Sequence, residues 1–352
     1  MSCIFDPNAA AASDSGIFGL PFSYEEASLV YLPVPWEATT SYGGGTSEGP
    51  TAILEASRQV DLFDADVLRP YEARLHLLPE SEEVREKGKA AKAQAARIIA
   101  TGGRIEGHPE LEAALAEVNS ACAWMNSYVH KEISRLLEAG KIPALIGGDH
   151  STPFGAIQAV AERQSDLGIL HIDAHSDTRR AYEGFTWSHA SIMFNVLDRI
   201  PGVHRLVQVG IRDFCEQEWD FCQSQKDRVR VFWDAQMCRR KLEGRSWASL
   251  ADEIVAALPR NIWVSFDIDG LDARFCPHTG TPVPGGLEFA EANYLLRAAV
   301  KAGRTLVGFD LNEVAPDPEG ADEWDANVGA RMLYKLTGWT LASQGRARVL
   351  EL

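Results

Sequence analysis

The chain has 352 residues, 34 Lys plus Arg against 50 Asp plus Glu, a formal net charge of −16 and a pI near 5.0. That balance argues against nucleic acid or an anionic membrane as a partner and suits a small cationic substrate. Cys3, Cys122, Cys215, Cys222, Cys238 and Cys276 form no CxxC pair, so neither a zinc ribbon nor a disulfide framework is expected, and reduced thiols fit a cytoplasmic setting. No run approaches ~18 uninterrupted apolar residues, and Met1 to Ala12 has no basic segment leading into an apolar core, which predicts a soluble, unsecreted protein.

Residues 1–27 are small, polar and interrupted by Gly and Pro. They read as an N-terminal extension whose order depends on a neighbouring subunit, ahead of a single domain at 28–352. Leu29 to Leu32 reads as a buried strand ended by Pro33-Val34-Pro35-Trp36. The glycine-rich Ser41 to Thr46 lacks a Walker lysine and dinucleotide spacing, so it reads as a loop that lets backbone approach a ligand. Apolar residues at helical spacing predict helices over 82–100 and 109–139, with core-facing stripes. His130, on the second, reads as structural. Beyond Lys141 the pattern alternates. Strands are expected at 142–146, 168–172, 205–209, 229–233, 261–266 and 305–311, with helices at 154–163, 247–258, 288–302 and 324–336. Such alternation implies an α/β fold with a central parallel sheet covered on both faces, whose functional groups collect beyond the carboxyl ends of the strands.

Those strand ends carry the chemistry. In His171-Ile172-Asp173-Ala174-His175-Ser176-Asp177 the alternation of a strand turns Asp173, His175 and Asp177 to one side. A row of carboxylate, imidazole and carboxylate suits a hard or borderline divalent ion. His150 follows the strand at 142–146, Asp267 and Asp269 end the strand at 261–266, and Asn312-Glu313 ends the strand at 305–311. Two imidazoles and four carboxylates exceed what one ion needs and repel one another without metal. Two divalent ions bridged by shared carboxylates, with a hydroxide between them, resolve this.

The motifs Gly148-Asp149-His150-Ser151, Asp173-Ala174-His175-Ser176-Asp177 and Ser265-Phe266-Asp267-Ile268-Asp269-Gly270-Leu271-Asp272 resemble, in order, the three metal signatures of the ureohydrolase family, which contains arginase and agmatinase. Thr279 to Gly286 resembles the loop that follows them there, and Glu313 sits in a matching Glu-Val-x-Pro setting. The resemblance spans roughly residues 28–340. It implies an arginase-type three-layer α/β/α sandwich, assembled as a homo-trimer or hexamer, with two divalent ions, Mn2+ or Ni2+. One ion takes His150, Asp173, Asp177 and Asp267; the other takes Asp173, His175, Asp267 and Asp269. It further implies that Glu313 grips a guanidinium through paired charge-assisted bonds, and that His189 shuttles the proton to the leaving amine. Thr281 is expected to orient Glu313 or line the pocket. Asp177, His189 and Glu313 are thus the expected catalytic set.

Two departures bear on the substrate. Where arginase holds the amino-acid end of its substrate with an asparagine, this chain has Arg179, which cannot accept hydrogen bonds from an ammonium. Arg179 either binds a substrate carboxylate, as the resemblance of Asp-x-Arg to formimidoylglutamase suggests, or pairs with an acid of the chain. Trp36, Trp187 and Trp324 are expected to wall a small pocket and stack on a planar cation. The expected substrate is guanidine or a short N-substituted guanidine, as in the guanidine-hydrolase branch that Tyr182-Glu183-Gly184-Phe185 also resembles. Agmatine, a guanidino acid or formimidoylglutamate are the alternatives. A non-catalytic subunit working in a mixed oligomer with a paralogue is the alternative of another kind.

Overall fold

Mostly apolar runs buried along their whole length form β1, β4 and β5 of the sheet, and a computed structural model describes residues 5–351 of the chain. The first part of the chain holds β1 (Leu29–Val34), α1 (Gly49–Ser57), β2 (Val67–Leu68), β3 (Leu75–Leu77), α2 (Glu82–Ile99) and α3 (Pro109–Glu138). The middle part holds β4 (Ile142–Gly147), α4 (Phe154–Ala161), β5 (Leu167–Ile172), α5 (Ile192–Arg199), β6 (Val203–Val209), α6 (Glu216–Ser224), β7 (Val229–Phe232) and α7 (Asp234–Leu242). The last part holds α8 (Trp247–Ala256), β8 (Asn261–Asp267), α9 (Phe289–Lys301), β9 (Thr305–Asn312), α10 (Trp324–Ser343) and β10 (Arg348–Val349).

Eight strands pair in parallel in the order β3-β1-β4-β9-β8-β5-β6-β7, while β2 and β10 make a separate antiparallel pair. Parallel strands need covered crossovers, and helices lie on both faces of the sheet. Alternation along β1 shows the result. Leu29 and Tyr31 join the core packed against α1, α8, α9 and α10, whereas Val30, Leu32 and Val34 join the opposite core under α2, α3, α4 and α5. This is the expected three-layer α/β/α sandwich.

The structure adds what the sequence pattern did not show. The α6 helix buries only Glu218 and Cys222, and α7 only Asp234 and Met237, so neither has an apolar stripe to read. The α1 and α5 helices are short, and β2, β3 and β10 span two or three residues. The α10 helix runs to Ser343, beyond the expected end near residue 336, because its last turns remain buried through Leu341.

The segment before β1 packs within the chain itself. Ile17, Phe18 and Leu20 are buried in the first core, with the Phe18 ring 4.9 Å from that of Tyr334 and its N–H donating to Ser57 Oγ at 2.9 Å. Positioning of the site follows from strand order. The four middle strands, β4-β9-β8-β5, bring residues 150, 313, 267–269 and 173–177 to one edge.

Candidate active site

His150 stands at the floor. Its Nδ1 lies 3.0 Å from Asp173 Oδ2, 3.1 Å from Asp267 Oδ2 and 3.7 Å from Asp177 Oδ2. His175 Nδ1 lies 3.1 Å from Asp269 Oδ2 and 3.5 Å from Asp173 Oδ1. All six ligands expected from the sequence thus converge, with Asp173 shared between the two imidazoles. Local backbone fixes the carboxylates. Asp173 Oδ1 accepts from His175 N at 2.6 Å, Asp267 Oδ1 from Asp269 N at 2.8 Å, and Asp269 Oδ1 from Ala174 N at 3.0 Å.

A further histidine belongs to the cluster. His171 Nε2 lies 2.8 Å from Asp173 Oδ2, and Gln208 Nε2 lies 3.0 Å from its other nitrogen. Its place one step earlier in the same alternating row, 171, 173, 175, 177, was the available signal. Behind His150, Nε2 lies 2.9 Å from Ser265 Oγ, which donates to Asp310 Oδ1 at 2.9 Å. His150 and His171 are therefore oriented by the bonds that their second ring nitrogens make.

Above the cluster lies a cavity of about 170 Å³ whose lining includes His175, Asp177, Arg179, His189 and Thr281. Its remaining walls, Ser41, Tyr182, Ala190, Asp213, Phe214 and Glu218, were not all legible beforehand; Asp213 and Phe214 follow the carboxyl end of β6, where the strand-end rule points. Glu313 is buried beside it: Oε1 accepts from His150 N at 2.8 Å, and its backbone carbonyl accepts from Thr279 Oγ1 at 2.7 Å. Two glycine loops close the side. Gly43, at φ 67, packs so tightly on Gly280 that a Cβ there would stand 2.5 Å from the Gly280 carbonyl oxygen.

The arginase family model matches residues 27–338. The chain is 32% identical over 317 residues to an N(1)-aminopropylagmatine ureohydrolase of Thermus thermophilus, covering 90% of this chain and 91% of that protein. It is 28% identical to an agmatinase of Bacillus anthracis, covering 90% and 93%. The chain belongs to the arginase family. Its fold matches that of the proclavaminate amidino hydrolase of Streptomyces clavuligerus with a TM-score of 0.70 at 24% identity, over 96% of this chain and 100% of that one. This ureohydrolase is accordingly a metal-dependent hydrolase acting on C–N bonds of linear amidines.

The family's binuclear metal site fits the residues present. Burial, with neighbouring carboxylates, pushes the carboxyls of Asp177 and Asp267 well above the usual range. Burial opposes the charge of Asp173 too, but His171, His150 and His175 outweigh it and hold that carboxyl well below. Acids this crowded and this buried need cationic partners, and two Nδ1 atoms already face them.

Placement corrects three expectations in this arginase-family chain. Trp36 is fully buried, Trp187 packs its ring on Phe154 and Arg199, and the half-exposed Trp324 donates its indole N–H to Arg274 O. None of the three lines the cavity, because closeness in sequence to a motif does not set the direction of a side chain. Arg179 does line it, but its Nε lies 3.5 Å from Glu218 Oε2 and its guanidinium lies over the Tyr182 ring at 5.0 Å. Of the two possibilities for Thr281, the structure shows lining; Thr279 holds Glu313 instead. Burial, then the charges on His175 and His150, lower His189 to about 4. It is therefore a neutral imidazole near neutrality.

Proposed function

We propose that the chain hydrolyses the C–N bond of a guanidino compound that carries no carboxylate, releasing urea and an amine or ammonia. Guanidine and short N-substituted guanidines are the favoured substrates. The observation that carries this reading is the commitment of Arg179. Glu218 is itself buried and accepts from Thr178 N at 3.1 Å and Cys215 N at 3.0 Å, so the Arg179 guanidinium faces a fixed anion of the chain. A substrate carboxylate would compete with that anion and meet Asp213 and Glu218 across a small cavity.

We assign the metal ligands as His150, Asp173, Asp177 and Asp267 for one ion and Asp173, His175, Asp267 and Asp269 for the other. Divalent ions held there, Mn2+ or Ni2+, would neutralise the carboxylates and supply the positive field that favours loss of a proton from water. The chain's own residues do the rest. Glu313, with Oε1 held by His150 N and Oε2 beside Gly280, offers its carboxylate to a guanidinium. His189 Nδ1 lies 3.4 Å from Thr39 Oγ1, which aims the ring, and its neutral form takes a proton and returns it to the departing nitrogen.

An amine-tailed guanidine, of the kind named for the agmatinase relatives, is the second reading. Asp213 favours it: an exposed acid at the cavity wall whose carboxylate makes no ion pair or hydrogen bond among the described residues. Urea release from guanidine, agmatine, guanidinobutyrate and arginine, with formamide release from formimidoylglutamate, tests both. Turnover is expected for the first two, and a preference for any of the carboxylates would sink the proposal. Elemental analysis of protein from cells given both metals decides between manganese and nickel. Light scattering tests the homo-oligomer, trimer or hexamer, that the family membership supports.

A further inference from the structure

Thr281 and Glu313 stand on loops outside helix and strand, so something other than backbone ladders must fix them. The chain of contacts runs outward from Glu313. Its carbonyl accepts from Thr279 Oγ1 at 2.7 Å, and the neighbouring His278 is held by one carboxylate at two points. His278 N donates to Asp325 Oδ1 at 2.9 Å, and His278 Nδ1 lies 2.8 Å from Asp325 Oδ2. Asp325 is only 1% exposed and sits in the first turn of α10, a rigid element packed into the core. Beside it, Trp324 Nε1 donates to Arg274 O at 2.9 Å, so the same helical turn holds residues 274 and 278 together.

We propose that His278 is a positioning residue: its pairing with Asp325 seats the loop of residues 276–286 on α10, fixing Thr281 at the cavity wall and Glu313 beneath it. The proposal rests on reading that cavity as the substrate site. The charged groups facing the imidazole are all acids: Asp325, Asp317 at 3.8 Å from Nε2, and Asp322. The bond to Asp325, against slight burial, therefore raises the imidazole above its ordinary value, helped by the charges of Asp317 and Asp322. The tie is at full strength below the usual histidine value of about 6.5 and weakens as pH rises through the raised value.

The test compares wild-type holoenzyme with His278→Ala and His278→Asn. The asparagine amide can donate to Asp325 without titrating. For His278→Ala, KM is expected to rise about tenfold while kcat changes by less than about twofold, since a loosened wall removes binding more than chemistry. Wild-type KM should climb as pH rises through the raised value, while both variants stay flat and His278→Asn keeps a KM within about threefold of wild type. Amide hydrogen exchange over residues 276–286 gives a readout that needs no substrate. It should be faster in His278→Ala at an unchanged melting temperature. Wild-type KM and wild-type exchange in His278→Ala would overturn the proposal. If wild type turns over no guanidino compound, the functional reading fails separately, and the exchange rates still decide the tie.

Discussion

Asp177 and Glu313 share an unusual backbone: both have positive φ, at 55 and 63. For residues with a Cβ this costs on the order of 1–3 kcal/mol, and surrounding bonds must hold it. They do. The Asp177 carbonyl accepts from Met193 N at 3.0 Å and Phe194 N at 3.2 Å, while Glu313 N donates to Gly148 O at 2.8 Å. Strain held at one acid of the cavity wall and at a second buried beside it is what a preorganised site requires. Asp267, assigned above as a bridging ligand, carries the sharpest residue-scale prediction. Asp267→Asn should lower turnover by more than about a thousandfold and cut bound metal in elemental analysis, with the far-ultraviolet circular dichroism unchanged. Full activity in that variant would remove the binuclear assignment. At the wall, Glu218→Gln should free Arg179 and raise kcat/KM for guanidinobutyrate by roughly tenfold relative to guanidine, one charge-assisted bond being about 1.4 kcal/mol or more. An unchanged ratio would show that Arg179 does not govern the choice. The ligand row was legible because strand alternation dictates direction. Tyr182, Asp213 and Glu218 were not, since nothing in their local pattern says that they meet at one cavity.

Elements divide in the same way. Strands buried on both faces announced themselves as short aliphatic runs, and the long helices α2 and α3 by their stripes; the structure adds a cap, with Ser81 Oγ accepting from Val84 N to start α2. The α6 and α7 helices each bury one acid and one apolar residue, so hydrophobic period had nothing to report. Composition misled at the N-terminal segment, because Ile17, Phe18 and Leu20 are buried in the core and Phe5 and Phe22 pack against it, which docks a stretch rich in small and polar residues. That docking has a measurable weight. Phe18 is 2% exposed between Tyr31 and Tyr334, so Phe18→Ala should cost roughly 3–5 kcal/mol in denaturant unfolding. A loss below about 1 kcal/mol would mean that the segment is not part of the cooperative unit.

Across the whole molecule, the acidic excess and the buried acids of the site pull in one direction. Withdrawing divalent ions leaves Asp173, Asp177, Asp267 and Asp269 packed together, all at most 4% exposed. Chelation should lower the melting temperature by several degrees, and adding back manganese or nickel should restore both it and urea release, because a ligand that binds only the folded state stabilises by mass action. A melting curve indifferent to chelation would argue that the cluster holds no ion. The contact between Gly43 and Gly280 has a consequence on another scale, that of change over generations. Where main chain touches main chain, no lateral adjustment is open to a side chain, and any replacement of Gly43 would prise the two loops apart. That flank of the cavity is closed to gradual remodelling. New substrate ranges would have to arise elsewhere in the lining, through side chains such as Tyr182, Asp213 and Phe214, which can be exchanged one at a time.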